Sequence, residues 1–417
     1  MRAALRSRAI RTFAITQFLL EVQFWFPVWL IYLLDLGFPL TTAVLADGVF
    51  RIVSVVCEFP LGVVADLIGR RRTYLALAGG TVLTFAAITQ IRSGTVLFGA
   101  WVLWGVLWAL ASGAASTYLY ELCADEPDLS PAKAFGLVRA VGNVSVLLSL
   151  LAAGYLYEVD PRLPFAVTAA MGGVAFLLAL TLPEIRESRV VSTFSSVVAD
   201  IRWAAADARV RRAVWLGALL LFFGWSPRIL FQPLALELDL TPQVTGWMYA
   251  AFAAASVLGG LVAGYVDARR RRVAVTTAFV LVFATLVATS QAQWLGPFLF
   301  LPVMGLGYAL GATVLEVFTN EVAPRAVRAM VFGLTACVGG VGIAVARPAL
   351  GVLADNRSTP FAFGVWAGVG VVLVGLAVPA IRRMPRTHRP APTQRNRQLA
   401  AERGIRVNAS TDQRREN

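Results

Sequence analysis

The 417-residue chain predicts an all-α integral membrane protein with twelve transmembrane helices in two pseudo-symmetric six-helix bundles. Four observations carry that prediction. Hydrophobic residues make up 58% of the sequence, mean hydropathy is +0.70 and only 15% of residues are charged. Apolar runs of about 20 residues recur, each long enough for a helix to cross a ~30 Å hydrocarbon core. Basic residues crowd into alternate connectors, and stretches of the first half return in the second at a nearly constant offset.

Residues 1–183 hold the expected first bundle, with spans at 13–34, 42–64, 73–91, 95–118, 134–157 and 162–183. Arg2, Arg6, Arg8 and Arg11 precede the first of these runs. That run is too long for a secretory signal core and no small-residue cleavage pattern follows it, so it is expected to stay as a span. Residues 184–212 form a cytoplasmic linker with a short surface helix. Residues 213–383 hold the second bundle, with spans at 213–236, 243–265, 273–290, 296–318, 328–350 and 360–381. Residues 384–417, rich in Arg, Pro, Asn and Gln, are expected to be a disordered cytoplasmic tail lying against anionic lipid.

Orientation follows from charge. The amino terminus and the connectors on its side hold 20 Lys and Arg, including Arg70–Arg72, Lys133 and Arg269–Arg272. The opposite connectors hold only Arg92, Arg162 and Arg357. Lys/Arg bias in short loops marks the cytoplasmic side, so both termini are expected in the cytoplasm of a multi-pass plasma-membrane protein. The net charge of +13 sits in connectors and ends and does not suggest a nucleic-acid partner.

Chemistry that needs clustered ligands is poorly supported. His388 is the only histidine, Lys133 the only lysine, and Cys57, Cys123 and Cys337 are far apart. No metal site, catalytic triad or cofactor is expected, and no nucleotide-binding loop is visible.

The repeat is specific. Gly105-Val-Leu-Trp-Ala-Leu returns as Gly305-Leu-Gly-Tyr-Ala-Leu, which pairs Glu121 with Glu321. FGLVRAVGNV from Phe135 matches FGLTACVGGV from Phe332, and Asp66 with its arginines pairs with Asp267 and Arg269–Arg272. Pro27 and Pro227, also 200 residues apart, are expected to kink the first and seventh spans. Two parallel halves suit a site at their interface that opens alternately to each side.

EFPLGVVADLIGRRR, from Glu58 to Arg72, resembles the signature between the second and third helices of the major facilitator superfamily, G-x-x-x-D-x-x-G-R-[RK]. Gly62, Asp66, Gly69, Arg70 and Arg71 match it. SGAASTYLYE, Ser112 to Glu121, resembles the fourth-helix end of an efflux-like twelve-helix branch, whose last acid is usually Asp. The fifth span lacks that branch's G-P-x-x-G-G ending. The resemblance covers about residues 10–382. It implies that Asp66 latches the two halves in an outward-open state, against the start of the helix near Arg328. The arginines fix the loop on the cytoplasmic side and pair with acids.

Ionisable residues inside spans are costly and normally face the bundle or a wet cavity. Glu21, Asp47, Arg51, Glu58 and Arg228 are therefore the proton or substrate candidates. Asp47 and Arg51 are placed to pair at i,i+4, and Glu21 to approach Arg51. Glu316 and Arg347 fall near opposite faces and are not expected to pair. Gln17 and Asn143 can hydrogen-bond across helices. Trp25 and Trp29, with Trp101, Trp104 and Trp108, form aromatic stripes that either line the cavity or pack and anchor the helices.

The expected function is secondary active transport by a monomer, with a proton or another coupling ion, exporting a small amphipathic or hydrophobic solute. Proton-coupled uptake of a small metabolite is the alternative; a non-transporting membrane binding protein is a third reading.

Overall fold

The structure is a computed structural model that describes residues 7–112, 114–124, 131–184, 204, 206–291, 296–324 and 327–385. Most of the linker, with its expected surface helix, and the tail beyond 385 lie outside the described residues, as does the side chain of Asp66.

Every described element is helical. The first half contains α1 (Arg8–Leu20), α2 (Trp29–Asp35), α3 (Leu40–Ile68), α4 (Arg70–Thr89), α5 (Gly94–Ala111), α6 (Ala114–Ala124), α7 (Pro131–Val159) and α8 (Leu163–Ala179). The second contains α9 (Ala208–Trp225), a 3₁₀ turn at Pro227–Leu230, α10 (Phe231–Glu237), α11 (Pro242–Ala263), α12 (Arg271–Ser290), α13 (Gly296–Val322), α14 (Arg328–Asn356) and α15 (Thr359–Arg382).

Helix starts have local causes. The side chains of Ser7, Ser93 and Ser358 accept from the backbone N–H groups of Ile10, Val96 and Phe361, and Asp207 caps Arg209 and Val210. Pro164 and Pro242 sit in the first helical turns of α8 and α11, where no N–H donor is needed. Between α3 and α4 the chain reverses at Gly69, whose φ of 91° would strain any residue with a Cβ.

Among the described residues, nine helical stretches are long and apolar enough to cross a membrane. The protein is therefore an all-α, multi-pass integral membrane protein. The other three expected spans are also helical but fall short for distinct reasons. The first is broken into α1 and α2. The third, α4, opens with three arginines. The sixth, α8, is a shorter apolar helix of 17 residues.

Polar hydroxyls inside helices are satisfied locally. Thr81, Thr168, Thr285 and Thr319 each donate to the carbonyl four residues earlier, at 2.7–2.9 Å. A hydrocarbon environment demands such internal pairing.

The helices before 184 pack largely on one another, as do those after 206. Contacts between the two sets run through α3 with α14, α7 with α11 and α2 with α10. Arg70–Arg72 and Arg269–Arg272 mark one end of the molecule, the basic end. At the far end the two sets meet through glycines. A Cβ added at Gly154 would overlap the backbone of Gln243, and one at Gly351 would overlap Val44. Asp355 accepts from the backbone N–H of Thr41 at 2.7 Å and from its hydroxyl at 2.5 Å.

Candidate functional site

Helices from both sets enclose a central cavity of about 690 Å³. It reaches the basic end, where the exposed residues Arg139 and Glu316 line its mouth. The close contacts just described, at Gly154, Gly351 and Asp355, close the far end.

The inner wall is built on two broken spans. Between α1 and α2, residues 21–28 leave the helical path, and backbone groups freed there need partners. From α7, Ser145 Oγ donates to the Phe18 carbonyl at 2.6 Å, and Ser149 Oγ accepts from the Gln23 N–H at 2.8 Å. Gln232, on α10 and only 1% exposed, supplies two more. Its Nε2 donates to the Phe26 carbonyl at 2.9 Å, and its Oε1 accepts from the Leu30 N–H at 3.0 Å. One amide thus braces the break in one half from the break in the other. The kinks expected at Pro27 and Pro227 are in fact interruptions of the helix, and both border the cavity.

The intramembrane charges are arranged differently from the sequence expectation. Asp47 does not pair with Arg51. It accepts from Arg347 of α14, whose other terminal nitrogen donates to the Trp225 carbonyl at 3.1 Å. Both partners are largely buried. This ion pair joins the two halves. Arg51 lies beside the rings of Phe50 and Trp225, at 5.4 and 5.9 Å from their centroids. Arg228 stacks over Trp225 at 3.7 Å, with Phe26 at 4.9 Å and Phe252 at 5.2 Å. Asp47, Arg51 and Arg228 all line the cavity.

Glu21 and Glu58 stand elsewhere. Glu58 accepts from the Ser112 hydroxyl at 2.8 Å. Glu21 does not meet Arg51. It accepts from Gln17 Nε2 at 3.0 Å, and the Gln17 oxygen accepts from the Tyr74 hydroxyl at 3.1 Å. This chain of groups lines a second cavity of about 330 Å³ within the first half.

Aromatic residues stand where the two spaces adjoin. Trp25, Phe85, Trp104 and Trp108 line both. Their rings meet mostly edge to face: Trp25 and Trp104 at 5.8 Å, Phe85 and Trp104 at 5.0 Å. Trp29 faces the central cavity and leans on Trp101 at 5.5 Å. The four candidate tryptophans therefore share one wall, and Asn143 lines the same cavity.

The signature loop lies at the basic end, remote from the cavity lining. Gly62 has open space where a Cβ would stand, and Gly69 is crowded by Glu184. Arg70 is buried against Glu121 at 3.1 Å, and Arg71 donates to the Leu180 carbonyl at 2.5 Å. In the second half Arg271 meets Glu321 at 2.7 Å. The repeat-related glutamates thus hold equivalent arginines, a partnership the sequence pattern implied but did not name. Arg328 donates to the Asn320 carbonyl at 2.8 Å.

Arg347, Gln232, Trp225, Tyr249 and Tyr308 line the cavity without having been singled out as site candidates from sequence. Arg347 carried a signal, as a charge inside an apolar run, but its carboxylate lies 300 residues away. Gln232 carried one too, five residues after Pro227. Among the described residues, no group of three or more His, Cys, Asp or Glu could hold a metal ion.

The sequence matches the Major Facilitator Superfamily over residues 13–232 and 214–411. It is 24% identical over 156 residues to the uncharacterised MFS-type transporter YxaM of Bacillus subtilis (strain 168), covering 36% of this chain and 37% of YxaM. It is 27% identical over 157 residues to the quinolone resistance protein NorA of Staphylococcus aureus (strain Mu50), covering 37% of this chain and 39% of NorA. The aligned segments thus span under two fifths of these relatives. The fold is similar to that of the nucleoside transporter NupG, with TM-score 0.73 at 16% identity over 92% of this chain and 100% of that one. It also resembles a POT family transporter (TM-score 0.71, 13% identity, 90% and 97% covered) and the human organic anion transporter MFSD10 (TM-score 0.61, 16%, 89% and 99%).

Proposed function

Because the chain belongs to the Major Facilitator Superfamily, we propose that it is a secondary transporter of a small molecule, working by alternating access between two six-helix bundles. The carrying observation is the cavity between the two helix sets, open at the basic end and shut at the far end by close packing at Gly154 and Gly351. A rocking motion of one set against the other would part those contacts and close the mouth. With twelve spans and the basic loops in the cytoplasm, both termini are cytoplasmic and this conformation faces inward.

The direction we propose is proton-coupled export. It rests on the fourth-helix segment Ser112–Glu121 and on similarity to NorA, whose name records quinolone resistance. Glu21 is the proposed exchangeable proton site. It sits at the helix break, in its own cavity, with only neutral hydrogen-bonding partners. Asp66 is the proposed latch in the opposite, outward-open state.

Reconstitution in liposomes with an imposed pH gradient tests this reading. Glu21→Gln keeps the hydrogen-bonding shape and removes titration. It should abolish gradient-driven flux while leaving substrate binding and downhill exchange. Wild-type flux that ignores the pH gradient would remove proton coupling. Normal driven flux in Glu21→Gln would move coupling to another group.

A further inference from the structure

Three buried ion pairs show how this chain holds a structural arginine. Arg70 takes Glu121, Arg271 takes Glu321, and Arg347 takes Asp47. Arg51 and Arg228 are treated otherwise. They come from opposite halves and both line the central cavity. Neither side chain donates a hydrogen bond to a described residue, and no described carboxylate lies within ion-pair reach of either. Arg228 is only 8% exposed. The Arg51 Nε is buried without a partner among the described residues.

What the two share is one ring, Trp225, at 3.7 Å from Arg228 and 5.9 Å from Arg51. An aromatic face offsets part of a cation's lost hydration. It supplies no lone pairs for the five N–H donors of each guanidinium. Asp47 does not supply them, because its pairing is with Arg347 and it lies beyond ion-pair reach of Arg51 and Arg228. The mouth carries Arg139 against Glu316, but the buried part carries three arginines against Asp47 alone. A charge kept inside a membrane protein without a counter-charge marks a substrate or ion path.

Resting on the transporter reading, we infer that the cavity accepts an amphipathic organic anion. A carboxylate head would sit between Arg51 and Arg228 over Trp225. A flat apolar body would lie on the wall formed by Trp25, Phe85 and Trp104. A planar guanidinium matches a carboxylate with two parallel hydrogen bonds, and two guanidinia supply donors to both oxygens. A cationic solute would meet two like charges, and a neutral one would leave both arginines without a counter-charge. The cavity volume of about 690 Å³ lies within the usual range for small-molecule sites, about 300–1,000 Å³.

The test holds one ring constant and varies only its charge. Full-length protein in a neutral detergent free of anionic lipid is titrated near neutral pH with 2-naphthoate, 2-naphthalenemethanol and 2-naphthylmethylammonium. Calorimetry reads the affinities. Naphthoate should bind at least about tenfold tighter than the alcohol, and the ammonium most weakly. Arg228→Gln and Arg51→Gln should each lose about tenfold for naphthoate, or ~1.4 kcal/mol, and change the alcohol less than about twofold. Arg228→Lys keeps the charge and should retain a preference for naphthoate, which provides a reading if Arg228→Gln does not fold. Arg357→Gln, at an exposed site outside the cavity, should bind like the wild type. Equal binding of the three probes, tighter binding of the ammonium, or an unchanged naphthoate affinity in both glutamine variants would overturn the proposal. The two readings fail separately. Selective naphthoate binding without flux in liposomes would leave the anion site standing and remove transport. Flux of the ammonium with no naphthoate preference would do the reverse.

Discussion

Replacing Asp47 with asparagine should open the far end of the molecule. In the present conformation the Asp47 carboxylate accepts from Arg347 across the two helix sets, and Arg347 is only 5% exposed. The amide that replaces the carboxylate keeps one acceptor oxygen, so the loss is confined to the charge. Arg347 stays cationic and keeps one charge-assisted bond, while the attraction between the two charges is lost. Close charge pairs couple by about 1.5–7 kcal/mol, and the lower end corresponds to roughly tenfold in an equilibrium ratio. The pair can form only while α3 and α14 stay packed, so that factor falls on the balance between far-end-closed and far-end-open forms. The reporter is a cysteine at Val44, which is buried and faces Gly351, in a chain whose native cysteines have been replaced. An impermeant maleimide added on the far side should label Val44→Cys about tenfold faster in the Asp47→Asn background. Arg347→Gln should act in the same direction, and the double variant should fall short of the sum, as coupled partners do. Unchanged labelling in a folded Asp47→Asn protein would refute the idea that this pair holds the far end shut.

Gln232→Leu removes two of the four side-chain bonds that brace the first break and leaves two buried backbone groups unpaired, at about 1–3 kcal/mol each; the thermal unfolding midpoint in detergent should drop. Arg70→Gln removes the cation that pairs with buried Glu121, and breaking such a pair costs about 3–5 kcal/mol, so membrane yield should fall, and Glu121→Gln in the same chain should recover part of it. Asp66→Asn should reduce transport with much of the protein still folded and inserted, and cysteine accessibility from each side should show a changed conformational balance. Normal flux with unchanged accessibility would remove the latch assignment.

Much of this arrangement is legible in the sequence wherever one stretch of chain carries its own signal. The apolar runs mark the helices because a spanning segment must be long and oily. The repeat marks equivalent residues: Pro27 and Pro227 both sit at helix breaks, and Glu121 and Glu321 both hold an arginine. Helical spacing shows the tryptophan stripes but leaves lining and packing open; in the structure these rings do both, lining the cavity and leaning on one another. What local pattern cannot supply is the choice among neighbouring helices. Asp47 and Arg51, one turn apart, satisfy the i,i+4 rule, which is worth only about 0.2–0.5 kcal/mol per pair. Arg347 offers a buried contact instead, and nothing in a single sequence reports which face of α14 meets α3. The same holds for Gln232, whose two bonds run to residues more than 200 positions earlier. Charge alone points Glu21 toward Arg51, yet Glu21 bonds to Gln17 and lines the second cavity, while Arg51 lines the central one.

The far-end closure through Gly154 and Gly351 bears on how quickly such a protein can cycle. Neither residue has a rotamer to lose, whereas a long side chain frozen at a contact gives up as much as ~1.5–2 kcal/mol of conformational entropy. At Gly154 the seal is backbone against backbone and re-forms without waiting for side chains to find one arrangement; at Gly351 it closes on the branched Val44 side chain, which has few rotamers to sort. It also does not depend on the bulk of what has passed through. The same geometry makes the seal brittle to change. A single methyl at Gly154 would be driven into the Gln243 backbone and would act as a wedge, holding the far end ajar in every turn of the cycle.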